Sequence, residues 1–124
     1  MILIEAFDPM EVGDVDNLVL RFTKEAGDAD LLDAQWECRL TAYSAGFDPD
    51  PMSRITVTQV QTVITVTQQD GSLVPENGKF AIARVGPLPP SAAGATYLFS
   101  ASAFMSDGRK VTRSGYVQCV LPGQ

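Results

Sequence analysis

Apolar and polar residues alternate with a period of two through most of this 124-residue chain, the spacing of strands that bury one face. Ile2 to Phe7 predicts a short first strand, closed by Asp8-Pro9. Leu18, Leu20 and Phe22 alternate with Val19, Arg21 and Thr23, predicting a second strand with one wet face. Ala34, Trp36, Cys38, Leu40 and Ala42 alternate with Gln35, Glu37, Arg39, Thr41 and Tyr43, the cleanest half-buried pattern in the chain.

Ser44 to Ser53, with Gly46, Pro49 and Pro51, is a loop by composition. Arg54 to Thr67 holds eleven β-branched residues in fourteen positions, which suits a strand and disfavours a helix. Its apolar set changes phase, from Ile55 and Val57 to Val60, Ile64 and Val66. A bulge near Gln59 to Gln61, or a strand crossing between sheets, accounts for the switch. Asp70-Gly71 and Asn77-Gly78 predict turns, because Gly, Asn and Asp tolerate positive φ, and Lys79 to Val85 predicts the strand that follows. Gly86 to Gly94, with three prolines, reads as a connection. Thr96 to Met105 and Lys110 to Val120 flank Ser106-Asp107-Gly108-Arg109, a hairpin whose register the sequence leaves open between two- and three-residue loops. Glu25 to Asp33 allows at most one turn of helix. About seven short strands with regular turn signals predict an all-β fold, an antiparallel two-sheet sandwich of immunoglobulin-like kind. Residues 1–124 form one domain, with 1–12 an arm or an edge strand.

Composition narrows the function. Nine basic and fifteen acidic residues give a net charge of −6, which argues against nucleic acid as a partner. The charge is uneven: residues 1–50 hold twelve acidic and three basic side chains, residues 51–124 three and six. This is a solvated acidic face or, on a sharper reading, a bipolar subunit whose acidic end meets a neighbour's basic end. No histidine is present, removing the usual general base and zinc ligand. Acidic residues from Glu5 onward and the lack of a long apolar run argue against a signal peptide or membrane contact.

Candidate chemistry is sparse. Trp36, Cys38 and Cys119 read as core residues; the order Trp-Cys-Cys departs from the antibody signature, and a Cys38–Cys119 bridge is the lesser alternative. The pairs Asp14/Asp16, Asp28/Asp30 with Asp33, and Asp48/Asp50 supply the loop oxygens calcium takes. They match no EF-hand spacing and read as solvated acids, so neither metal nor cofactor is expected. Paired acids could also serve a glycosidase, but no aromatic groove accompanies them, and no nucleophile motif or phosphate loop occurs. No enzyme activity is expected. Arg109, Lys110 and Arg113 form the one basic cluster, a soluble hairpin tip or a contact for an acidic partner. Val63, Ile64 and Val66 form an aggregation-prone stretch of the kind another subunit covers.

The run Ala93-Gly94-Ala95-Thr96-Tyr97-Leu98-Phe99, then Ser106-Asp107-Gly108-Arg109-Lys110-Val111, Arg113-Ser114 and Tyr116-Val117, resembles the closing hairpin of small tailed-bacteriophage virion structural proteins. Asp8-Pro9, the Leu18/Leu20/Phe22 strand and the Trp36 strand are similar to that group's earlier elements, whereas 54–79 is longer. The resemblance implies an immunoglobulin-like sandwich that works by assembly, folds in the bacterial host cytoplasm and resides in the virion. Its partners would be other virion proteins and copies of itself, as a homo-oligomer. Contacts are expected at Arg109, Lys110, Arg113, Asp28, Asp30, Asp33, Asp48 and Asp50. The alternative function is an immunoglobulin-like module that binds a carbohydrate or a host surface protein.

Overall fold

The structure is a computed structural model that describes residues 4–41 and 45–122. Expectations for Ile2, Leu3, Ala42, Tyr43 and Ser44 therefore lie outside the described residues. In chain order the elements are β1 (Ile4–Ala6), β2 (Met10–Glu11), β3 (Asp16–Arg21), α1 (Thr23–Ala26), β4 (Leu31–Leu40), β5 (Ile55–Thr67), β6 (Leu73–Val85), β7 (Thr96–Met105) and β8 (Lys110–Val120). Short 3-10 turns occupy Pro51–Arg54 and Pro90–Ala92.

These strands make the all-β, two-sheet sandwich that the alternation predicts. One sheet has the order β1-β8-β7-β4 and the other β3-β6-β5. The expectation of purely antiparallel sheets needs one correction. β1 and β2 both run parallel to β8, opposite Ser114–Tyr116 and Cys119–Val120 respectively, as one interrupted strand, so the larger sheet is mixed. Pro9 lacks the N–H a continuous ladder would need, and lies in the interruption. Gly115 makes the docking possible: a Cβ there would sit 2.1 Å from the Phe7 ring.

Leu18, Leu20 and Phe22 face Trp36, Tyr97, Phe99 and Val117 in the buried core. Between these large side chains lie Ala34, Ala81, Ala83, Ala101 and Ala103, small enough for the sheets to close around the rings. Tyr97 and Phe99 stack with centroids 5.9 Å apart. Each large side chain in this layer contributes roughly 1.5–3 kcal/mol by leaving water.

Two predictions in the middle of the chain are corrected. The phase change in β5 is real and the register slips twice, between Gln61 and Val63 at the edge of the expected window and earlier, between Ile55 and Val57. The extra residue, Thr56, lets Ile55 and Val60 pack on the same core and turns Val57 outward, 54% exposed. Asn77-Gly78 is no turn, because β6 runs unbroken from Leu73 to Val85. Gly78 instead lies where β6 carries one more residue than β5, between Asn77↔Val63 and Phe80↔Gln61. A Cβ there would come within 2.4 Å of Thr23 Oγ1, so glycine serves close approach at a bulge. Asp70-Gly71 does turn the chain, with Gly71 at φ 85° and Gln68 and Ser72 bonded across it. The last hairpin has a three-residue loop: Phe104 pairs with Lys110, Met105 N–H donates to Arg109 O, and Gly108 takes φ 90°.

Candidate interaction surface

The described residues bring together no group of three or more His, Cys, Asp or Glu side chains able to hold a metal ion, and no helix among them is long and apolar enough to cross a membrane. Cys38 and Cys119 are free and buried. Burial, with Asp48 nearby, pushes the Cys38 thiol up to about 12, and burial raises Cys119 as well. Both stay protonated and unreactive near neutral pH.

Asp48 is the most committed acid in the chain. It is 2% exposed, and its carboxylate accepts from Arg54 Nε at 2.7 Å and Arg54 Nη2 at 3.0 Å. The Tyr97 hydroxyl donates to it at 2.6 Å and the Asp50 N–H at 2.9 Å. The Arg54 bonds, followed by those from Tyr97 and Asp50, hold it down at about 2 against the opposing effect of burial. Burial and the facing carboxylate raise the Tyr97 phenol. This network fastens the 48–54 loop to the β7 face. Asp48 therefore leaves the set of acids expected to meet a partner, because its oxygens are turned inward. Asp50 keeps an exposed side chain.

The basic tip is also engaged within the chain. Arg109 bonds Asp107 Oδ2 at 2.7 Å and donates to the carbonyls of Glu25 at 2.9 Å and Ala26 at 3.0 Å. A guanidinium suits the carbonyls at a helix end, here adding to the Ala29 N–H that the Ala26 carbonyl already accepts. Arg113 projects toward α1, where it meets Glu25 Oε1 at 3.3 Å and the Arg21 carbonyl. Lys110 is exposed and lies over the Phe104 ring at 5.8 Å. Asp28 and Asp30 are exposed close by, the latter tied through its backbone N–H to Ser106 Oγ at 2.8 Å. Asp28 and Arg109 share the wall of a shallow groove of about 550 Å³. Acidic loop and basic tip thus meet inside one molecule, while Asp33 stands apart on the exposed face of β4.

A second surface lies on the other sheet. β3 pairs with β6 only from Phe80 to Val85, yet β5 and β6 continue pairing from Val63↔Asn77 to Thr67↔Leu73. Five further pairs carry a two-stranded arm about 17 Å past the sheet. No side chain from 62–78 enters the core. Opposite residues in the ladder share a face, so Ile64, Val66 and Val74 line one side and Val63, Thr65 and Leu73 the other. Val63 is 46% and Leu73 67% exposed. No family model, curated protein or solved structure matches the chain.

Sequence reasoning singled out Val63, Ile64 and Val66 but not their setting, because it cut β6 at Asn77-Gly78. Pro75 also disguised the strand, since proline is rare in a ladder interior. The legible signal was the uncharged, β-branched length of 55–67, too long for a strand spanning only the body.

Proposed function

We propose that this chain is a non-catalytic structural subunit that builds a larger particle through protein–protein contacts, a virion component in the sense the closing-hairpin resemblance implies. The single observation behind this reading is the β5–β6 arm, which carries apolar side chains on each face, Val63 and Leu73 among them exposed, and extends past the sheet that roots it. A two-stranded ribbon alone is marginal in water. One that exposes apolar side chains gains from a neighbour that covers them. The inert thiols and the absence of histidine are compatible with a role that performs no reaction.

The test is light scattering on the purified full chain over a range of concentrations, beside a variant in which residues 63–77 are replaced by Asn-Gly. A discrete oligomer that loses subunits when the arm is removed supports the reading. A monomer at every concentration in both forms overturns self-assembly through the arm.

A further inference from the structure

We infer that the free edge of β5 is the seam of a two-fold homodimer, in which two copies pair antiparallel into one continuous six-stranded sheet. This rests on the assembly reading above and names the partner as a second copy of this chain. β5 ends the order β3-β6-β5, so among the described residues its outer edge has no strand hydrogen-bonded to it. Thirteen residues long, from Ile55 to Thr67, it holds no charged residue and no proline. Natural edges are guarded by such residues. The contrast within the same hairpin is direct: beyond its ladder with β3, β6 carries Pro75 and Glu76, the latter bound by Arg21 of β3 at 2.9 Å, followed by Lys79. One edge of the arm is guarded and the other is not.

The composition of β5 also selects its partner. An uncharged edge pairs best with an uncharged strand, since a charge brought against it would be desolvated without a counterion. Among the described strands only β5 offers that over such a length. Full antiparallel overlap about Gln61 sets Val57 opposite Thr65, Gln59 opposite Val63, Thr58 opposite Ile64 and Val60 opposite Thr62. These are β-branched pairs and one amide–aliphatic pair, with no like charges facing. Antiparallel pairing is the arrangement that a two-fold axis normal to the sheet imposes, and its ladder is slightly more stable per residue than a parallel one.

The experiment is sedimentation of the full chain from micromolar to millimolar concentration, with the double variant Thr58→Lys/Gln59→Lys. Both residues are exposed on the body, before the arm begins, so the variant keeps the fold, which circular dichroism and the melting temperature check. The expected result is a dimer for the parent chain and, for the lysine variant, a dissociation constant raised at least tenfold with unchanged melting of the monomer. A parent oligomer lost on arm removal but untouched by the two lysines overturns the seam and leaves the assembly reading standing, with the arm gripped elsewhere. A parent chain monomeric throughout overturns both.

Discussion

The two long hairpins of this protein have nearly the same strand lengths and opposite fates. In β7–β8 every second residue of β7 from Tyr97 to Met105 is buried, the tip is held to α1 by Arg109, and β4 and β1 cover both edges. In β5–β6 no residue of β5 is fully buried, and one edge has no strand paired to it among the described residues. Both are rich in β-branched and small residues, so strand propensity does not separate them. What separates them is where large side chains face: Tyr97 and Phe99 anchor one hairpin across the core, while β5 beyond Val60 meets no opposing sheet. A hairpin becomes part of a body through what lies across from it, not through its own ladder.

That contrast can be broken at several points. The largest effect is expected for Phe99→Ala, which empties the stacked ring layer and should lower unfolding free energy by about 3–5 kcal/mol in chemical denaturation. Asp48→Ala should lower it by about 2–4 kcal/mol, because Arg54 and Tyr97 lose the carboxylate that satisfies them. The same network sets an acid limit. Asp48 is held at about 2 when folded and has an ordinary value of 3.8 when unfolded. Its stabilisation is complete above pH 4 and fades as pH falls toward 2; melting temperature across that window reads it, and Asp48→Asn should flatten the slope. Gly78→Val should cost about 1–3 kcal/mol by crowding Thr23 and Phe80, and should change amide exchange in the arm more than in β7–β8. Val66→Ala in the arm should change monomer stability by only about 0.5 kcal/mol or less. A larger loss in the monomer would mean the arm folds back onto the body.

Much of the architecture was legible as pattern. β7 and β8 begin and end where the alternation does, and Leu18, Leu20, Phe22, Trp36 and Cys38 face inward as their spacing requires. Local signals failed where a distant contact overrode them. Asn77-Gly78 carries the composition of a turn, yet Gly78 answers to Thr23 and Phe80 across the sheet. The parallel run of β1 and β2 along β8 depends on the gap above Gly115, which no local window reveals. Asp48 and Asp50 look alike in sequence, but one is clasped by Arg54 and Tyr97 and the other is exposed. The same holds for Arg109 and Lys110, adjacent residues of which one closes a helix end and the other covers a ring. Charge clusters predicted surface, and the fold decided which of those charges were already taken.

The unbroken course of β6 has a mechanical consequence. Its outer half belongs to the arm, while Phe80 to Val85 lies between β3 and β5 in the body. A pull on the arm along its axis is therefore carried straight into the body by one strand. It loads the rungs between β6 and β3 sideways and all together, instead of opening them one after another from an end. Such a graft resists being drawn out far better than it resists being bent. The arm is placed to bear tension through β6, and Arg21 of β3 braces its root by an ion pair to Glu76.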